Sequence, residues 1–290
     1  MNKFVIVTDS CADLTAEQVA QLDVKVISLT YMIDEKEYRD DPLNPEMTSG
    51  EFYNLLRGGK TATTAAVNVG TYTEVLEPLL AEGNDVLVLA FSSGLSTTYN
   101  SSRIVVEELS EKYPERKLYT VDTLCAALGQ GLLVTLAARK RAEGMTIEQV
   151  RDWVEDNKLN LCHQFTVDDL FFLKRGGRVS AATAVVGTML AIKPVLHVDD
   201  EGHLVKVGTA RGRAGSLKAL VDKMAETAIE PANQTVFICH GDCMADAQKV
   251  ADMVRERFGV QEILIGNIGP VIGAHAGPGT VALFWLGTQR

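Results

Sequence analysis

What most constrains this chain is an alternation. Short apolar runs at residues 4–7, 24–29, 86–91, 118–121, 195–198, 236–239 and 263–265 are separated by stretches with helical periodicity. Each run is strand-length, far short of the roughly 20 apolar residues that cross a bilayer. Helix starts are readable between them. Thr71-x-x-Glu74 and Thr146-x-x-Gln149 are capping boxes, and Thr48-x-x-Glu51 opens a further helix that Gly58-Gly59 stops. Strands alternating with helices imply an α/β architecture with largely parallel pairing in the N-terminal half. The character changes after Thr166. A Gly176-Gly177 break precedes two apolar runs, 195–198 and 204–207, which flank Asp199-Asp200-Glu201-Gly202. That pattern reads as a hairpin in an α+β second domain. The expected division is residues 1–168 and 169–290.

Charge and cysteine usage exclude several classes. With 28 Lys and Arg against 38 Asp and Glu the formal net charge is −10, which disfavours non-specific binding to nucleic acid. Five cysteines at irregular spacing imply reduced thiols and a cytoplasmic protein. Met1-Asn2-Lys3 followed by four apolar residues does not read as a signal peptide. Residues 170–220 run against the acidic balance, with eight basic and three acidic side chains. The excess suggests an anion-facing surface, although scattered solvated lysines would give the same count.

Three runs end in polar tips: Thr8-Asp9-Ser10, Ser92-Ser93-Gly94 and Asp122-Thr123. In a parallel sheet all three share the carboxyl edge, where open α/β sheets bind ligands, though the same residue types also make ordinary turns. The stretch from Phe91 to Ser101 is the richest, passing from a buried strand into hydroxyls, a glycine and a helix start. It contains no Lys or Arg, which suits a carboxylate held by neutral donors better than a triphosphate. Gly59-Lys60-Thr61 is not a phosphate-binding loop, because Asn54 stands where the motif needs glycine. Ser93, His275 and Asp122 compose a hydrolase triad on paper, but no G-x-S-x-G elbow surrounds Ser93. Cys239 and Cys243 lack a second pair at zinc spacing, so no metal is expected. His275 lies between Gly269-Pro270 and Gly277-Pro278-Gly279, a glycine-rich course around one imidazole.

These motifs, taken in order with Val7-Thr8-Asp9-Ser10, Leu173-Lys174-Arg175-Gly176-Gly177-Arg178 and Lys193-Pro194-Val195-Leu196, resemble the DegV family of bacterial fatty-acid-binding proteins over essentially the whole chain. The resemblance implies two domains holding one long-chain fatty acid, no cofactor, and a role as a carrier rather than an enzyme. It implies carboxylate contacts from Thr61, Ser93 and His275, with Gly94, Ser96 and Gly277 as further ligand-binding residues. A fatty acid kinase would then act on the presented carboxylate, with Arg178 and Arg211 near the exposed end, facing kinase and acyl phosphate. One departure stands out. The family's Thr-Ser-Gln-Pro-Ser loop is matched here to Thr61-Ala62-Thr63-Thr64-Ala65, and the missing proline removes a fixed φ. The rival readings are a lipid or ester hydrolase using Ser93 and His275, and a lipid-sensing regulatory module.

Overall fold

Buried apolar strands need backbone partners on both sides, and the first half supplies them in parallel. The computed structural model describes residues 4–180 and 192–290. Its N-terminal elements are β1 (Phe4–Asp9), α1 (Ala16–Leu22), β2 (Val24–Ile27), β3 (Thr30–Ile33), β4 (Lys36–Arg39), α2 (Ser49–Arg57), β5 (Ala62–Ala65), α3 (Val69–Ala81), β6 (Asp85–Ala90), α4 (Thr98–Lys112) and β7 (Leu118–Asp122). One sheet has the order β2-β1-β6-β7, every pair parallel. The three polar tips therefore do share one edge. A small antiparallel sheet, β4-β3-β5, stands beside it.

The capping boxes at Thr48 and Thr146 form as expected. The one expected at Thr71 does not, because α3 begins earlier. Asn68 is its cap, and the Asn68 side chain accepts from the Thr71 amide. Asn is as strong a cap as any residue, so the helix takes the earlier start.

The second half comprises α5 (Ala127–Ala142), α6 (Ile147–Asn157), β8 (Leu161–Thr166), α7 (Leu170–Arg175), β9 (Ile192–Val198), β10 (Leu204–Arg211), α8 (Gly212–Thr227), β11 (Thr235–His240), α9 (Met244–Phe258), β12 (Glu262–Asn267), α10 (Pro270–Ala276) and β13 (Val281–Leu286). Six strands form a mixed sheet in the order β10-β9-β8-β13-β11-β12. The β9–β10 hairpin is antiparallel, as its turn cluster indicated, with Gly202 at φ 79. By strand pairing this sheet begins at Leu161, upstream of the expected division at 168/169. The strand β8 is buried throughout and pairs with β13 and β9. It follows α6 in the same rhythm as the first half, so the sequence pattern carries no break there.

Alternation in the inner strands builds two cores from one sheet. Val236, Ile238, Val281, Leu283 and Trp285 face outward beneath α8 and α9, while Phe237, Cys239, Ala282 and Phe284 face inward. The inward core is continuous with that of the parallel sheet. Helix α5, buried on all sides over its first half, lies between the two sheets and packs on β8, β11 and β13. All five cysteines carry free thiols. Among the described residues no helix is long and apolar enough to cross a membrane.

Candidate functional site

The two sheets do not close completely. A cavity of about 440 Å³ remains between them, within the range of small-ligand sites. Its body is apolar. Leu29, Phe91 and Leu95 come from the N-terminal half, Ala126 and Ala127 from the start of α5, and Phe165, Val198, Leu204, Ala282 and Phe284 from the mixed sheet. His163 also lines it, but both ring nitrogens are satisfied, by Leu161 O at 3.0 Å and the Ala126 amide at 3.3 Å. Burial lowers its pKa well below the ordinary value, so it stands as a neutral ring packed edge-on to Phe284.

Leu173, Ile268, Val271 and Ile272 extend the apolar lining, and its polar members are Thr64, Ser93, Ser96, Thr97, Arg178, His275 and Thr280. His275, on α10, shares a 2.8 Å hydrogen bond with Thr64 Oγ1 through Nε2, and its Nδ1 is buried without a partner. Burial, then the Arg178 and Arg175 charges, lower its pKa to about 4, so the imidazole is neutral at pH 7. It fits because position 176 is glycine; a Cβ there would overlap the ring. Arg178 donates from Nε and Nη2 to Leu95 O at 3.1 and 2.9 Å, and from Nη1 to Gly176 O. The guanidinium thus ties the serine loop to the turn beside His275.

The serine loop is held from three sides. The Ser93 amide donates to Asp122 Oδ1 at 3.1 Å, and the Ser92 hydroxyl donates to Gly202 O, in the β9–β10 turn, at 2.9 Å. Position 94 must be glycine, since a Cβ would lie 2.7 Å from that same Gly202 O. Ser96 Oγ pairs with Thr98 Oγ1 at 2.9 Å. The other two tips serve the scaffold. Asp9, fully buried, accepts from the Phe91 and Cys11 amides, and Thr123 donates to Ala90 O.

The structure brings together Ser93, Ser96, His275 and Arg178 of the expected set. Gly94 and Gly277 shape the surrounding backbone without lining the cavity. Thr61 is corrected: it is exposed, ahead of β5, and outside the cavity. Along β5 side chains alternate, so Ala62 and Thr64 turn inward and Thr63 and Ala65 outward. The threonine that reaches His275 is Thr64. Arg178 is also corrected, because its guanidinium is engaged on carbonyl oxygens in the cavity wall rather than facing a partner. Arg211, at the end of β10, is exposed. Much of the basic excess of residues 170–220 is paired: Lys193 and Arg213 with Asp168, Arg213 with Asp246, Lys218 with Asp222.

The paper triad does not assemble. Asp122 Oδ1 accepts from the Ser93 and Leu124 amides, while His275 Nε2 is engaged by Thr64. Among the described residues no cluster of three or more His, Cys, Asp or Glu is placed to hold a metal. What the geometry offers is a largely apolar cavity whose wall carries hydroxyls, a neutral imidazole and an engaged guanidinium.

The family model described as "Uncharacterised protein, DegV family" matches residues 3–288. The chain belongs to the DegV family. A DegV domain-containing protein of Clostridium perfringens is 48% identical over 290 residues, covering 100% of this chain and 99% of the relative. Among solved structures, a DegV lipid-binding protein from Thermotoga maritima superposes with a TM-score of 0.87 at 28% identity, over 99% of both chains. A DegV family protein from Thermus thermophilus, described for its fatty acid binding, superposes at 0.83 and 30% identity, over 97% of this chain and 98% of its own. The two-sheet architecture of this chain is therefore the DegV fold.

Proposed function

We propose that this protein binds a long-chain fatty acid between its two sheets and presents the carboxylate to a partner fatty acid kinase for acyl phosphate formation. The carrying observation is the neutral His275–Thr64 pair in the wall of a largely apolar cavity that Ser93 also lines. With Nε2–H donating to Thr64 Oγ1, the threonine hydroxyl is left to donate to a carboxylate, as is the Ser93 hydroxyl. A tail of 14 methylenes contributes roughly 11 kcal/mol on burial. Each hydrogen bond to the charged head adds about 1.5–3 kcal/mol, against several kcal/mol of ordering cost. The tail supplies affinity and the head fixes orientation. The fatty acid binding described for the Thermus thermophilus protein supports the same ligand class here.

Presentation to a kinase calls for a carboxylate near the surface and a docking face. Arg211, exposed at the end of the edge strand β10, is the cation we assign to that face; Arg178 holds the mouth in shape. Two measurements test the reading. Mass spectrometry of lipid extracted from the denatured protein should find a fatty acid, and a clean apo protein that displaces no C14–C18 probe would sink it. Kinase-coupled ATP consumption should slow in Arg211→Ala while lipid occupancy holds, with the deficit growing at low salt. Equal rates at both salt concentrations would remove Arg211 from the partner face.

A further inference from the structure

Two carboxyl groups of the N-terminal half meet where α10 begins. Asp13 sits in the turn after β1, in the left-handed region at φ 52, and its Oδ1 accepts from the Gly269 amide at 2.9 Å. Asp40 follows β4, and the Ser10 hydroxyl and the Val271 amide favour its charged form. Both carboxyls crowd one point. A Cβ on Gly269 would lie 2.7 Å from Asp13 Oδ1 and 3.4 and 3.5 Å from the two Asp40 oxygens. Each group keeps one oxygen, Oδ2 in both cases, sealed from solvent with no hydrogen-bond partner.

Among the described residues neither is in an ion pair. The titratable groups around them are Asp9 of β1, Cys11 in the following turn, Tyr31 of β3, Asp41, Tyr53 of α2 and Cys239 of β11. These are acids, phenols and thiols. Two ionised carboxylates in such a contact repel, and one proton between them removes a charge and creates the missing donor. Burial raises the pKa of Asp40 to about 7 and that of Asp13 upward as well, where the Asp40 charge adds to burial.

We propose that Asp13 and Asp40 share one proton at neutral pH, and that this acid–carboxylate pair is the positioning element that seats α10. The proton donates from one carboxyl toward the other and keeps Asp13 on the Gly269 amide. Helix α10 carries Ile272 and His275 into the cavity wall. When the proton leaves, repulsion acts at the entry to this short helix, and the His275 end loosens. Asp13 and Asp40 touch no ligand; they act through α10. The effect on a fatty acid rests on the function proposed above, whereas the seating of α10 does not.

The test therefore reads the helix and the ligand separately. Carbon-13 NMR of the wild-type carboxyl groups should show the Asp13–Asp40 pair still holding one proton near pH 6; both ionised by about pH 5, like ordinary aspartates, would overturn the proposal. Hydrogen-exchange protection of residues 268–277, corrected for intrinsic rates, should fall about threefold or more from pH 6 to pH 9. It should stay level in Asp40→Asn, whose amide supplies the donor permanently. Parallel profiles in wild type and variant would also overturn it. Asp13→Asn is the second variant if the first folds poorly, and the wild-type titration needs neither. Release of bound fatty acid should quicken over the same range in wild type only. A protein that carries no lipid yet shows the pH-dependent protection would defeat the binding proposal and support this pair.

Discussion

The two walls of the cavity mouth are built by opposite strategies. On the serine side every approach is braced. Asp122 holds the Ser93 amide, Gly202 takes the Ser92 hydroxyl, and Arg178 grips Leu95 O from across the mouth. On the histidine side the support is sparse. His275 has one partner, Thr64, and one buried nitrogen with none, and its helix starts on two carboxyls short of donors. The serine wall is preorganised, and the histidine wall has unmet bonding capacity. A ligand carboxylate finds donors already placed on one side and, on the other, the Thr64 hydroxyl that His275 leaves free to donate.

The sharpest way to break this contrast is to fill the space under the imidazole. Gly176→Val should displace His275 and cost about 1–3 kcal/mol of overpacking, read as a lower Tm together with loss of bound lipid. A normal Tm with full occupancy would show that the ring has room to move. Next in size, Thr64→Val should weaken fatty acid binding about tenfold or more, for one lost charge-assisted bond, and His275→Ala should weaken it by leaving the Thr64 hydroxyl unoriented. Thr61→Ala should change nothing in the same displacement titration. If Thr61 rather than Thr64 matters, the strand register proposed for the head group is wrong.

Acid provides a graded test. The folded pKa of His275, about 4, lies below the ordinary histidine value of 6.5. Its contribution to stability is therefore complete above pH 6.5 and is lost as pH falls through that window toward 4. Asp9 at about 6 and Asp40 at about 7 are raised, so their contributions run the other way and decline as pH rises. Denaturant midpoints of wild type minus those of His275→Gln isolate the histidine, and this difference should shrink between pH 6.5 and 4. A difference independent of pH would mean that the imidazole is solvated. The smallest effect belongs to the arginines. Arg178→Ala should weaken occupancy about threefold by loosening the braced wall, while Arg211→Ala leaves it unchanged.

The parallel sheet was legible because its inner strands β1 and β6 are mostly apolar runs that lead into hydroxyls and carboxylates. Central parallel strands must be apolar on both faces, and β6 is buried at every position. The β4-β3-β5 sheet left no such trace. Its strands are short, and Lys36-Glu37-Tyr38-Arg39 is a charged edge with little apolar content. Missing that sheet meant missing the face on which Thr64 lies. Matching the loop by its first threonine then chose Thr61, although the two-residue period from buried Ala62 points to Thr64. Ser93 and His275 were recognisable from their flanking glycines and hydroxyls. The roles of Arg178, Asp13 and Asp40 depend on partners far away in sequence, which spacing within a motif cannot reveal.

That remoteness bears on how the protein folds. The Ser92–Gly202, Thr64–His275 and Arg178–Leu95 bonds join residues 110, 211 and 83 positions apart. Contacts of such separation form late, after loop-closure entropy has been overcome for both sheets. The mouth of the cavity is thus absent from the early nucleus. A molecule bound there stabilises the native state by mass action but has nothing to hold in the folding transition state. Its presence should be felt almost wholly as slower unfolding, and the occupied protein owes its persistence to a high exit barrier rather than to rapid assembly.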